Sequence, residues 1–141
     1  MESVDLAGLP EHPLLLLDSS PIIYVLEDHP KFAPRFQPLF DAHAAGTVRF
    51  AITTITIAEV LSGPFRVRDE VMARRYRRLL ESWQVIPLDS EIAESAASVR
   101  AMMHLKLPDA IQVASALAVQ ADALVTHDRD FGSVHSIRII S

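Results

Sequence analysis

The sequence predicts an α/β/α sandwich, one domain over residues 1–141 built on a mostly parallel sheet of four to five strands. Three observations carry this. Short apolar runs of strand length alternate with longer segments of helical character. No hairpin turn joins consecutive strands before the end of the chain, so the connections must be crossovers. A chain of 141 residues, 50% hydrophobic and 22% charged, suits one ordinary core.

Residues 14–18 form an apolar run ending in Asp18, too short for a helix and bounded by turn formers, which marks a buried parallel strand. Asp18-Ser19-Ser20-Pro21 then supplies a cap with proline at the helix start, so Ile22 to Glu27 should be helical. A second helix is expected over 35–45, between Pro34 and Gly46, with Pro38 in its first turn. Val48 to Thr53 is β-branched and alternating, a second strand. Thr56 to Leu61 should form a short helix closed by Ser62-Gly63-Pro64. Arg66 to Trp83 reads as a long helix with Val67, Val71, Leu79, Leu80 and Trp83 on its apolar stripe. Gln84 to Leu88 is a third strand, followed by a helix from Asp89 or Ser90 to about His104. Asp109 to Ala121 is apolar on nearly every side and should be a buried helix. Ala123 to Thr126 is a fourth strand, and Ile137 to Ile140 a fifth.

Composition excludes several classes. No cysteine is present, so there is no disulfide scaffold, thiolate zinc site or cysteine nucleophile. No stretch of 18 apolar residues occurs, and Glu2, Asp5 and Glu11 precede the Leu14–Leu17 run without a Lys or Arg. A soluble protein of the reducing cytoplasm, without a membrane partner, is the expectation. The net charge of −5 is a poor overall profile for a non-specific nucleic-acid binder.

Ligands of open parallel sheets gather beyond the carboxyl ends of the strands. Asp18 ends the first strand, Asp128 and Asp130 follow the fourth, Asp109 opens the buried helix, and Glu59 lies one turn into the helix after the second strand. Each has a plain structural reading: Asp18 and Asp109 as helix-start residues, Glu59 as a solvated helix residue, Asp128 and Asp130 as turn formers. Their joint placement points elsewhere. Clustered carboxylates repel unless a cation joins them or some take up protons, and hard oxygen ligands suit Mg²⁺ or Mn²⁺, which activate water and stabilise charge on a phosphodiester. The histidines at 12, 29, 43, 104, 127 and 135 show no ligand spacing, and His127 alone falls near this site.

The segments LLLLDSS, ITTITIAEVLSG and KLPDAIQVASALAVQADALVTHDRDF, in that order, resemble a PIN domain, and specifically the VapC-like toxin ribonucleases of type II toxin–antitoxin systems. The resemblance runs from Leu14 to the C-terminus and is most specific over Leu107 to Phe131. It implies an Mg²⁺- or Mn²⁺-dependent endoribonuclease with Asp18, Glu59, Asp109 and Asp128 as catalytic residues. Asp18, Asp109 and Asp128 would be metal ligands, with Asp130 a nearby alternative. Ser20, where the family often has Asn, and Thr126 would support the site. The family commonly dimerises and is bound by a small antitoxin. A PIN domain acting only as an RNA-binding scaffold is the rival. Haloacid dehalogenase-like phosphatases want an Asp two residues after the first, and position 20 is Ser. A receiver domain wants an acidic pair and a late Lys, neither evident.

Arg66, Arg68, Arg74, Arg75, Arg77 and Arg78 place six arginines in thirteen residues. Arg74, Arg77 and Arg78 share a helix face that suits RNA phosphates, or equally a solvated face with pairs such as Glu70–Arg74. Ile22, Ile23, Tyr24, Leu26, Phe36 and Phe40 are apolar residues for either the core or a partner contact.

Overall fold

The computed structural model describes residues 2–141. The elements run β1 (Leu14–Leu17), α1 (Ser19–Leu26), α2 (Ala33–Ala44), β2 (Arg49–Thr53), α3 (Thr54–Arg66), α4 (Glu70–Glu81), β3 (Gln84–Ile86), α5 (Ser90–Met103), α6 (Leu107–Ala118), β4 (Ala123–Val125), a 3₁₀ turn (Arg129–Ser133) and β5 (Ile139–Ile140). The five strands form one sheet ordered β3-β2-β1-β4-β5. Every pairing is parallel, including β4 with β5, because the 3₁₀ turn and the connector after it return the chain alongside β4.

Alternation along the strands divides the interior between two layers. Leu15 and Leu17 face one core with Ile22, Phe36, Leu39, Val60, Leu80 and Trp83 from α1–α4 and the segment after α4. Leu14 and Leu16 face the other with Ile92, Ala96, Ala110, Val113 and Ala114 from α5 and α6. The chain steps outward from β1 through β2 to β3 with its helices on one face. It then crosses back to β4 with α5 and α6 on the other, as one-handed crossovers require. The order therefore reverses beside β1, and β1 and β4 flank the switch point. Since α6 delivers the chain to the amino end of β4, the start of α6 lies at the carboxyl end of the sheet. Asp109 to Ala116 are buried without a break, which confirms the buried helix.

Two expectations fail around α3 and α4. Ser62-Gly63-Pro64 does not close the helix; α3 continues to Arg66. Gly63 has no Cβ for the proline ring to strike, and the Ser62 hydroxyl donates to the Ala58 carbonyl at 2.7 Å. The break comes at Arg68, whose φ is +56°, and Asp69 caps a shorter α4 by accepting from the Met72 N–H at 3.0 Å. The buried stripe shifts accordingly to Ala73 and Leu80, with Tyr76 partly buried between them, while Val67, Val71 and Leu79 stay exposed. Arg66 and Arg68 are not on α4. Of the early apolar residues, Ile22 and Phe36 are fully buried, and Ile23, Tyr24, Leu26 and Phe40 pack against the same core. They are core. Among the described residues no helix is long and apolar enough to cross a membrane.

Leu16 has no exposed surface and sits on the central strand. Leu16→Ala should cost about 3 kcal/mol in urea unfolding without altering the slope against denaturant.

Candidate acidic site

The carboxyl ends of β1 and β4 are held together where the Asp18 N–H donates to the Val125 carbonyl at 2.8 Å. Asp18 caps α1 there, and its carboxylate is buried. Oδ1 accepts from the Ser19 N–H at 2.9 Å and from Gln112 Nε2 at 3.0 Å; Oδ2 accepts from the Thr126 hydroxyl at 2.9 Å. The same Thr126 oxygen accepts from the Asp128 N–H at 3.0 Å, which fixes the loop after β4.

Gln112, one turn along α6 from Asp109, is fully engaged. Its amide donates to Thr56 Oγ1 at 2.9 Å as well as to Asp18, and its oxygen accepts from Thr53 Oγ1 at 2.9 Å. Thr53 also caps α3, accepting from the Thr56 N–H at 3.3 Å. A buried polar network thus ties α1, α3, α6 and the end of β4 to one carboxylate. Such a network is stable only when complete.

Asp109 is the contrasting case. It is buried, and its Oδ2 has no hydrogen-bond partner. One oxygen each from Asp109, Asp128 and Asp130 lie within 4.8 Å of one another. Asp128 Oδ1 accepts from the Asp130 N–H at 2.9 Å, so the 3₁₀ turn presents both side chains at this point. Burial, then the charges of Asp128, Asp18 and Asp130, push the Asp109 carboxyl up to about 6, with Lys106 opposing. Lys106 Nζ also approaches Asp130 Oδ2 at 3.5 Å. An orphaned buried oxygen among like charges, in an all-oxygen donor set, fits a hard divalent cation.

Glu59 lies at the exposed rim of this group. Partial desolvation, followed by the Asp18 charge, raises its pKa; contact with Ser19 partly offsets this, and Asp109 adds to the rise. The structure therefore places Asp18, Glu59, Asp109, Asp128 and Asp130 in one field, with Thr126 bonded directly to Asp18. Ser20 makes no hydrogen bond to Asp18 among the described residues; the neighbouring Ser19 does. Gln112, Thr53 and Thr56 were missed. A lone amide in the apolar helix LPDAIQVASALA was the available signal.

The arginines are elsewhere. Arg74 and Arg77 line an apolar groove with Ile57, Leu61 and Phe65 of α3, whereas Glu59 projects about 200° around that helix from Ile57. Arg78 is exposed. The ion pair that forms on α4 is Arg77–Glu81 at 2.8 Å, not Glu70–Arg74.

The PIN domain family matches residues 15–136. The chain belongs to the PIN domain family. No curated protein sequence matches it. Among solved structures, a toxin–antitoxin complex from Klebsiella pneumoniae shares 27% identity with this PIN domain at a TM-score of 0.70, over 87% of this chain and 94% of that one. VapBC2 from Rickettsia felis, bound to a DNA fragment from its promoter, aligns at 18% identity and TM-score 0.70, over 89% and 96%. VapC20 of Mycobacterium tuberculosis, a sarcin-ricin loop cleaving toxin, aligns at 16% and 0.67, over 88% and 98%. At those lower identities the likeness is one of fold.

The Asp109 shift has a consequence for stability of the PIN domain. Its folded pKa of about 6 exceeds the ordinary 3.8, so between these values the folded chain holds a proton that the unfolded chain has lost. Raising the pH through that window weakens the metal-free fold, and the loss is complete above it. Asp109→Asn removes this slope and should melt higher than wild type in EDTA at about pH 7.5. Equal melting temperatures there would contradict the shift.

Proposed function

We propose that this PIN domain is a metal-dependent endoribonuclease of the cytoplasm, the toxin of a type II toxin–antitoxin pair. The observation that carries the reading is the unpartnered, buried Oδ2 of Asp109, a carboxylate that clusters with Asp128 and Asp130. Five carboxylates in one field repel an RNA phosphate unless a cation offsets their charge, and an all-oxygen donor set suits a hard divalent ion.

Asp109, Asp128 and Asp130 would hold Mg²⁺ or Mn²⁺. Asp18 would assist, since Oδ2 carries only the Thr126 hydrogen bond and keeps a free lone pair. A bound divalent ion supplies neutralising charge, a lowered pKa for water, and stabilisation of the phosphodiester oxygens. The residues of the chain do the rest. Thr126 and Gln112 keep Asp18 pointing outward from the sheet end. Glu59, held at the rim with a raised pKa, can accept the proton of the water that attacks phosphorus, while the P–O bond to the ribose oxygen breaks and that oxygen takes up a proton from solvent. Asp128 fixes the entry of the 3₁₀ turn and with it the position of Asp130.

Likeness to a toxin–antitoxin complex at 27% identity supports a small antitoxin as partner, and the family resemblance supports a homodimer. RNA is the substrate class this reading names.

Calorimetry with Mn²⁺ on partner-free protein tests the site without a guess about sequence. Saturable binding should weaken at least about tenfold in Asp109→Asn, and the variant should lose cleavage of purified RNA while keeping its fold. Equal Mn²⁺ binding by both proteins, or full activity in the variant, would sink the assignment. Mn²⁺ binding without cleavage of any RNA would favour the scaffold reading.

A further inference from the structure

Beside the carboxylates lies a second surface of different chemistry. Tyr24 from α1, His29 and Phe32 from the α1–α2 turn, and His127 from the loop after β4 are each half-buried, and Tyr24 and His127 pack against the fully buried Phe36. Phe32 is at the centre, with ring centroids 4.5 Å from His127 and 4.9 Å from both Tyr24 and His29. The Tyr24 hydroxyl and His127 Nδ1 are 3.1 Å apart. His127 is the residue between Thr126, which binds Asp18, and Asp128, so this cluster abuts the acidic site through the backbone.

Two features are not needed for packing. The first is charge. Lys31 Nζ stands 5.3 Å from the Phe32 centroid, and Lys31, Arg35 and Arg129 all lie near enough for their positive field to reach His127. Lys31 and Arg129 are exposed, and neither has an acidic partner within salt-bridge distance among the described residues. The second is an unused donor. His29 Nδ1 accepts from the Lys31 and Phe32 N–H groups at 3.2 and 3.1 Å, which assigns the proton of the neutral ring to Nε2; that nitrogen has no described partner. Half-exposed rings, flexible cations and an outward donor are what a single strand needs: faces for its bases and charge for its phosphates. Arg74 and Arg77 of α4, in contrast, line an apolar groove away from Glu59.

We infer that the Tyr24–His29–Phe32–His127 cluster, with Lys31 and Arg129, is the surface on which an unpaired RNA segment stacks as it leads to the carboxylates. This rests on the ribonuclease reading above. It adds a location: the ring cluster of this chain that an unpaired strand meets beside the carboxylates. A strongly acidic site on a chain of charge −5 repels a polyanion, and this local patch offsets that repulsion.

The test uses the whole protein in EDTA, so that nothing is cleaved. A fluorescent single-stranded oligouridylate of about ten nucleotides is compared with an abasic ribose-phosphate chain of equal length. Phe32→Leu keeps apolar volume but removes the ring, and should weaken oligouridylate binding about tenfold while leaving the abasic chain unaffected. Lys31→Ala together with Arg129→Ala should weaken both probes and flatten the salt dependence. Both substituted residues are exposed, so this double variant is informative even if Phe32→Leu melts early. Equal affinity of wild type for the two probes, or unchanged oligouridylate binding in a folded Phe32→Leu protein, overturns the inference and leaves the rings as packing. Mn²⁺ titration of the same variants separates the two readings. Retained metal binding with RNA binding indifferent to the ring sinks only the stacking surface. Absent metal binding in wild type sinks the ribonuclease reading itself.

Discussion

A buried carboxylate costs several kcal/mol unless its oxygens find donors, and the end of this sheet is arranged around that requirement at Asp18. Its three hydrogen bonds come from the first turn of α1, from the middle of α6 and from the residue after β4. Gln112 carries the constraint on to Thr53 and Thr56, so the start of α3, and with it the placement of Glu59, follows from the same charge. Removing any member leaves a buried polar group of its neighbour short of one partner. This makes the network a specifier of geometry more than a source of net stability.

Asp109 shows what the network leaves undone. It stands at the opening of a helix whose N-terminal dipole favours a negative charge, yet burial and three neighbouring carboxylates outweigh that and drive its pKa up. The fold keeps one carboxylate satisfied and a second frustrated, a few residues apart in space but on opposite sides of the hydrogen-bond account. Frustration of this kind persists in folds where a ligand relieves it. Next to the site where negative charge accumulates, Lys31 and Arg129 are exposed, and Tyr24, Phe32 and His127 stay half-buried, Tyr24 while packing against the core.

Much of this was legible in the residues. The four-leucine run with Asp18 at its end, the β-branched, alternating Val48–Thr53 run and the apolar α6 lead to a parallel sheet with acidic residues at its carboxyl ends, because strand period and helix starts are local signals. The α3–α4 region was not, since Ser62-Gly63-Pro64 carries the strongest local breaker signal in the chain. Gly63 has no Cβ to clash with the proline ring, so α3 can pass through to Arg66. The arginine face was read from helical spacing alone, and spacing does not say which side of α3 it meets. Gln112 escaped notice because one polar residue on an apolar helix carries no period; its meaning depends on Asp18, 94 residues earlier.

Asp109 is held among like charges, and the proposed cation would relieve that repulsion. Carbon-13 NMR of the Asp109 side-chain carboxyl, followed against pH, tests it most directly. In EDTA the group should titrate near 6, far above the ordinary 3.8, and saturating Mg²⁺ should move the transition down and out of that range. Titration at the ordinary value without metal, unmoved by Mg²⁺, would contradict the account.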